Sequence, residues 1–355
     1  MVTKAVKIGV IGVGFGAKVQ IPGFQSEGFE VVAVCSRRRE RAEGAAKSAG
    51  IDNVYTDYRE MIRQPNLDAV SIVTPPNLHH EMAITALGAG KHVLCEKPFA
   101  MNRQQAKQMW DKAKETGLTA MVTHEFRFIP ARAYIKELLQ QGYLGELHNV
   151  SVALLVGSQQ RGKPAPLRWR DQYSYGGGQL AGMGSHYIDC LRDWFGEIIG
   201  VCGRVFNHDS GRPPEANADN AFSFLVTFAN GGWGTMSANF VAPFGTGTRI
   251  EIYGSEGMLS TPQPGFNPTN NGAVWGARFE EAGRPRELHI PKPFQLTSDD
   301  RDPRLAVFRL LAKRFREGIS IGTSPPPNFY DGYRCQQIID AVQGFTTSGH
   351  WVDLQ

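Results

Sequence analysis

The chain has 355 residues, a length that one hydrophobic core rarely fills and that two domains fit. Its composition, 41% hydrophobic and 20% charged, is that of an ordinary globular protein, and a formal charge of +4 without any long basic run makes no case for nucleic acid as a partner. Five scattered cysteines without C-x-x-C spacing argue against a disulfide framework or structural zinc and for reduced thiols in a cytoplasm, and no run of about 18 apolar residues reaches across a membrane.

The chain opens on "VKIGVIG", a short β-branched run that reads as a strand and not as the apolar core of a signal peptide. Similar runs follow at "EVVAVCS", "AVSIVTP", "KHVLCE" and "LTAMVTH", separated by helical stretches such as "RRRERAEGAAKSAG" and "NLHHEMAITALGAG". In the latter, Met82, Ile84, Ala86 and Leu87 form the expected buried stripe, and Gly88 and Gly90 end it. Strands alternating with helices predict βαβ units and a parallel sheet covered on both faces. Beyond His124 the texture changes to longer strands: "HNVSVALLVGS", "IGVCGRVFN", "AFSFLVTFANGGWGTMSANF" with an Asn-Gly hairpin signal, and "TRIEIYGSEGMLSTP". Residues 261–300 are rich in Pro, Gly and Asn and read as loop, and two helices follow at "RLAVFRLLAKRFREG" and "YDGYRCQQIIDAVQGFTTSG". The expected fold class is α/β, with one domain over residues 1–124 and a largely antiparallel second domain over 125–355.

Chemistry enters first at "IGVIGVGFGAKVQ", which holds Gly12-x-Gly14-x-x-Ala17 between a strand and a helix. Gly12 permits the turn, Gly14 lets backbone approach a pyrophosphate, and the small Ala17 allows close packing; Phe15 and Gly16 complete the turn. The pattern predicts dinucleotide binding, the alternative being a plain Gly-rich turn. The second strand ends in Ser36, Arg37, Arg38 and Arg39, where an NAD site usually carries an acid for the ribose 2′-hydroxyl. Arginines at a helix start oppose its dipole unless a 2′-phosphate lies between them, so NADP(H) is preferred and NAD(H) remains possible. A solvated charged face with Ser36 as N-cap is the plainer reading.

With these residues in hand, the chain resembles the Gfo/Idh/MocA oxidoreductases. The resemblance runs through "VKIGVIGVGFGA", "TPPNLHHEMAITALGAGKHVLCEKP", "HEFRFIPA", "GGGQLAGMGSHYIDCLRDWFG" and "YDGYRCQQIIDAVQ", nearly the whole length. It implies an N-terminal Rossmann domain and a C-terminal α+β domain whose large, open, mostly antiparallel sheet makes a homodimer or homotetramer. It also implies interconversion of a secondary alcohol and a ketone on a sugar, polyol or cyclic ketone. In the family the lysine of E-K-P reaches the active site, here Lys97 after Glu96. A partly desolvated lysine beside a cationic ring suits proton relay to a substrate oxygen, and Pro98 would fix the backbone, for which a cis peptide is one device. A surface Lys–Glu pair is the alternative.

His186 matches the family's D-x-G-x-H-x-x-D pattern and is the second catalytic candidate. Gly182 stands where many members carry the first Asp; Asp189 either substitutes for it or bonds backbone or a neighbouring arginine. The departure leaves two alternatives, a less polar substrate or Lys97 acting alone. By resemblance Thr74, Pro75, Asn77 and His79 would line the cofactor, as would Arg127 in "HEFRF", where Glu125 replaces a common Asn and would bring a charge near the ring. Trp169, Arg170 and Tyr173 are candidate pocket residues, with core packing the alternative for Trp169. No metal is expected. Two rival functions stay open: glycoside cleavage by transient redox with a recycling cofactor, and a nucleotide-sensing regulator without catalysis.

Overall fold

The computed structural model describes residues 5–157, 166–208, 211–263, 272–281 and 283–354. The chain runs β1 (Lys7–Ile11), α1 (Ile21–Ser26), β2 (Glu30–Cys35), α2 (Arg39–Ala49), β3 (Asn53–Tyr55), α3 (Tyr58–Ile62), β4 (Ala69–Ile72), α4 (His79–Gly88), β5 (His92–Cys95), α5 (Arg103–Thr116) and β6 (Ala120–Val122). It continues through α6 (Pro130–Gln140), β7 (Leu147–Leu155), α7 (Ser185–Phe195), β8 (Ile198–Phe206), β9 (Ala221–Phe228), β10 (Trp233–Asn239), β11 (Gly247–Gly254), β12 (Gly257–Gln263), β13 (Val274–Arg278) and β14 (Arg286–Leu288). Helices α8 (Leu305–Ile321) and α9 (Phe329–Ser348) and the short β15 (Val352–Asp353) close it.

The first six strands pair in parallel in the order β3-β2-β1-β4-β5-β6. All four residues of β4 are buried, which is why it reads as a continuous apolar run and not as an alternation. The chain reverses its direction of winding between β1 and β4, and in such sheets ligands bind beyond the carboxyl ends of the strands at that point. The stripe of α4 is Met82, Ala83, Ala86 and Leu87; Ile84, expected inside, is only half-buried because it lies off that face.

A single cut at residue 124 was expected, but the first compact unit takes in Thr297–Gln336 as well as residues up to Glu125. The cause is aromatic packing that no local pattern reveals. Phe308 of α8 meets Phe24 of α1 edge-on with ring centroids 5.2 Å apart, and Phe315 stacks on Phe29 at 6.0 Å. Phe329 of α9 packs on Phe99 at 4.6 Å, and Val122 donates its backbone N–H to the carbonyl of Pro327 at 3.1 Å.

The second unit, Phe126–Leu296 with Gln337–Gln355, holds a nine-stranded sheet in the order β14-β13-β12-β11-β7-β10-β9-β8-β15. Its neighbours pair antiparallel except β7 and β10, which are parallel. β11 alternates buried Ile250 and Ile252 with outward Arg249, Glu251 and Tyr253, the pattern of a sheet covered on one face. Residues 261–300 were read as loop, yet β13 and β14 lie there and extend the sheet edge. At five and three residues they are too short to signal themselves. Among the described residues no helix is long and apolar enough to cross a membrane.

Candidate active site

The site is built on the carboxyl ends of β1, β2, β4, β5 and β6. After β1, Gly12 adopts φ +107°, and a Cβ there would lie 2.4 Å from the carbonyl oxygen of Val73. No residue but glycine fits that turn. Around Gly14 the space a Cβ would take is open. The helical segment beginning at Gly16, a π-turn that leads into α1, has Phe15 at its N-cap and no side chain bonding its first N–H groups. Open space at Gly14 before an uncapped helix start is what a pyrophosphate needs, so the residues present fit a dinucleotide. Ala17 is half-buried, and the ring of Phe15 lies 4.8 Å from the Arg304 guanidinium.

After β2, α2 begins only at Arg39, so Arg37 and Arg38 belong to the turn before it and not to its first turn. Both are exposed, and among the described residues neither pairs with a carboxylate, whereas Arg39 reaches Glu43 at 3.5 Å. Ser36 is half-buried, and its hydroxyl accepts the backbone N–H of Arg38 at 3.4 Å, a local turn contact and not an N-cap.

After β4, Thr74 and Pro75 are half-buried, and the hydroxyl of Thr74 contacts the sulfur of Met82 at 3.6 Å. Asn77 Oδ1 is buried without a protein partner, and Asn77 caps no helix. It is an acceptor waiting for a donor. His79, expected to line the cofactor, is fully buried. Its Nδ1 lies 2.9 Å from the Pro98 carbonyl and its Nε2 2.8 Å from the Thr74 carbonyl. Both nitrogens face backbone carbonyls, and burial lowers the ring's basicity; the neutral ring has one N–H and so donates to one of the two carbonyls at a time, packed between the Thr74 loop and the Lys97–Pro98 turn.

After β5 comes the densest chemistry. The Lys97–Pro98 peptide is cis. The N–H of Lys97 is held by Glu96 Oε2 and by Thr123 Oγ1, each at 3.2 Å, and its side chain is half-buried. Glu96 is buried and accepts from Gln20 Nε2 at 2.7 Å, while Gln20 Oε1 accepts from the hydroxyl of Ser71. Burial raises the Glu96 carboxyl above its usual range against the pull of Lys97 and of bonds from Thr123 and Gln20. Glu125, just after β6, was expected to bring a charge. Burial, then the charge of Glu96, pushes its carboxyl up to about 8, which favours its protonated form.

In the second unit His186 stands in the first turn of α7, buried, its ring stacked on Phe126 with centroids 3.7 Å apart. Arg127 does not present a free guanidinium to a cofactor. It grips Asp189 through Nε at 2.6 Å and Nη2 at 2.7 Å, and Asp193 through Nη1 at 2.8 Å, all nearly excluded from water. Asp189 therefore serves that arginine and does not replace the acid missing at Gly182. At Gly182 a Cβ would meet nothing within 4 Å. Trp169 and Arg170 form a short exposed turn, so core packing is not the role of Trp169. Tyr173 donates its hydroxyl to buried Asp219 at 3.2 Å, and Asp219 also accepts the N–H groups of Gln179 and Leu180, fixing the segment that leads into α7. Gln20, Ser71, Thr123 and Asp219 escaped the sequence reading; each is an ordinary polar residue whose partner is remote in the chain.

Comparison with known proteins agrees with this architecture. Residues 6–124 match the model of an oxidoreductase family with an NAD-binding Rossmann fold, and residues 133–260 match the GFO/IDH/MocA C-terminal domain. An uncharacterized oxidoreductase of Synechocystis sp. is 31% identical over 97% of this chain and 95% of its own. Levoglucosan dehydrogenase of Pseudarthrobacter phenanthrenivorans is 29% identical over 89% of this chain and 87% of its own. A levoglucosan dehydrogenase solved in complex with NADH superposes with a TM-score of 0.88 at 28% identity, covering 99% of this chain and 100% of the other. Two domain models in tandem and a relative aligned along nearly its full length leave one assignment: the chain belongs to the Gfo/Idh/MocA family of oxidoreductases.

Proposed function

We propose that the chain is an NADP(H)-dependent dehydrogenase or reductase that interconverts a secondary alcohol and a ketone on a sugar, polyol or related cyclic small molecule. The observation that carries this reading is the end of β5, where half-buried Lys97 stands on a clamped backbone beside two buried carboxyls. When bound, the nicotinamide supplies the hydride acceptor or donor. Lys97 hydrogen-bonds the substrate oxygen and moves its proton, and His186 is the second group at that oxygen. Without an acid at Gly182 to raise the basicity of His186, Lys97 carries the larger share. Positioning and charge stabilisation at the oxygen supply most of the acceleration. Lys97→Ala lowers turnover by at least ~10²-fold, the low end for acid–base groups, with dinucleotide affinity retained. Near-normal turnover in steady-state kinetics would overturn the role.

The preference for NADP(H) rests on Ser36, Arg37 and Arg38, exposed or half-exposed after β2 with no acid among them. The relatives seen with NADH are a property of those proteins. Fluorescence titration of the purified chain with NADPH and NADH tests it: tighter NADPH supports the 2′-phosphate reading, tighter NADH overturns it, and no binding of either overturns the dehydrogenase. No disulfide joins the five cysteines, four of them buried, which suits the reducing cytoplasm we assign. We assign the outer face of the nine-stranded sheet to a homodimer or homotetramer.

A further inference from the structure

Arg304 is an unfavourable residue for the place it holds. It is the N-cap of α8, where its side chain makes no cap and a positive charge opposes the helix dipole. Its guanidinium is turned instead to the opposite end of the sequence, over the ring of Phe15 and 4.8 Å from the centroid. Asp302 fixes the fork there: its carboxylate accepts Nε at 2.8 Å, Nη2 at 2.6 Å and the backbone N–H of Arg304 at 2.9 Å. Asp302 is buried and Arg304 half-buried. Bonds from Arg304 first, then the charges of Arg304 and Lys18, hold that carboxyl below its usual range, so two cations share one acid beside the Gly-rich turn. Among the described residues no acceptor takes Nη1. After Asp302, the charges that act on Arg304 are those of Glu125 and Glu96, beyond β6 and β5. In the strand order, β2 with its Ser36–Arg38 turn flanks β1 on one side, and β4, β5 and β6 lie on the other. Arg304 meets the turn after β1 and faces the β5 and β6 side, away from the end that would take a 2′-phosphate. An arginine whose fork is held by an acid and whose outer N–H groups are unused is pre-organised for phosphate oxygens.

We propose that Arg304 is a ligand of the dinucleotide's pyrophosphate bridge, to which its Nη1 N–H groups donate while Phe15 and Asp302 hold the guanidinium in place; this deepens, and rests on, the dinucleotide reading of the turn from Gly12 to Ala17. Backbone N–H groups at that turn offer only partial charges, and the arginine supplies a full one. The bridge is common to NADPH and NADH, so Arg304 adds affinity without choosing between them, and the choice rests with Ser36, Arg37 and Arg38. Asp302 acts through Arg304 and is a positioning residue. An arginine that only anchored the residues before α8 to the turn would keep the contacts with Asp302 and Phe15 and bind no ligand at Nη1, so the two roles part on binding.

The test measures dissociation constants of the full chain for NADPH and NADH by fluorescence titration, and for ADP-ribose, which has the bridge but no nicotinamide, by displacement of the reduced dinucleotide. Wild type, Arg304→Gln and Arg304→Lys are compared. We expect Arg304→Gln to weaken all three ligands about tenfold, the size of one charge-assisted hydrogen bond, at an unchanged ratio of NADPH to NADH affinity. Arg304→Lys, which keeps the charge and loses the fork, should lose part of that. In the wild type, phenylglyoxal modification of Arg304, followed by peptide mass spectrometry, should be slowed by saturating ADP-ribose, a readout that an arginine remote from the ligand does not give. Unchanged affinities in Arg304→Gln overturn the proposal. So does a loss confined to NADPH, which would place Arg304 at the 2′-phosphate, a loss that spares ADP-ribose, which would place it at the nicotinamide, or modification at the same rate with and without ADP-ribose. Should Arg304→Gln fail to fold, Arg304→Lys and the modification of the wild type still decide the matter. A wild type that binds none of the three ligands overturns the dinucleotide reading itself, whereas a wild type that binds them all and variants that bind equally well overturn the role of Arg304 alone.

Discussion

Glu125 makes the thermodynamics of the site measurable without turnover. Its folded-state carboxyl is pushed up to about 8, far above the usual carboxylate range, first by burial and then by Glu96. A group whose folded value is raised stabilises the fold fully below its unfolded value and loses that contribution as pH rises through its folded value. Stability of the wild type should therefore decline between about pH 5 and pH 8 by an amount that Glu125→Gln does not show, because glutamine neither binds nor releases a proton there. Melting temperature against pH for the two proteins checks this; parallel curves over that window would show that Glu125 ionises normally. At this scale the tight turn at Gly12 and the cis Lys97–Pro98 bond were legible because each signal is local, whereas Arg37 and Arg38 were read into a helix that begins only at Arg39. The raised carboxyl of Glu125 was not legible, since it depends first on burial and then on Glu96 at the end of the neighbouring strand.

Elements show the opposite balance. Period and turn chemistry revealed five of the six parallel strands and missed the three-residue β3, and the same patterns misplaced Arg127. Its neighbours in "HEFRF" suggest a cofactor contact, while its bidentate partner Asp189 lies in α7, more than a helix away in sequence. This arginine joins the turn at Glu125–Phe128 to α7, with Asp193 and Lys136 completing the network at 2.8 and 2.7 Å. The same two elements carry Phe126 and the His186 ring stacked on it. Removing one partner of a buried ion pair strands the other charge and costs about 3–5 kcal/mol. Asp189→Asn leaves Arg127 its bond to Asp193, so it should lower stability in urea unfolding by less than that amount and loosen His186, while dinucleotide affinity changes little. A loss of NADPH binding without a loss of stability would return Arg127 to the cofactor. The short strands β13 and β14 and the packing of α8 on α1 were hidden for a related reason: one pair is stabilised by sheet neighbours, the other by aromatic contacts remote in sequence.

For the molecule as a whole, the nine-stranded sheet poses the remaining physical question, because its outer face exposes several large aromatics among its polar residues. Register places Trp233 of β10 level with Asn149 of β7, and Asn149 level with Tyr253 of β11, so both aromatics stand in one row. Trp275 of β13 pairs with Ser260, which pairs with Glu251, two residues from Tyr253 and on the same face. Across β9 and β8 the row continues through Thr227 and then Leu225 with Cys202 opposite. Trp233 is 44% exposed, and Tyr253, Trp275 and Phe206 are exposed with it. A face that sets exposed aromatics among polar side chains suits an association surface, and a two-fold pairing of identical sheets is the commonest way to cover one. Light scattering should therefore report a dimer or tetramer. Trp233→Arg combined with Leu225→Arg should shift the mass towards the monomer, since two charges would be buried unpaired at the interface. Each site is at least partly exposed in the single chain, so the variant should still fold. A wild type that is monomeric at micromolar concentration, or a double variant of unchanged mass, would remove the sheet from the assembly and leave its aromatics to another partner.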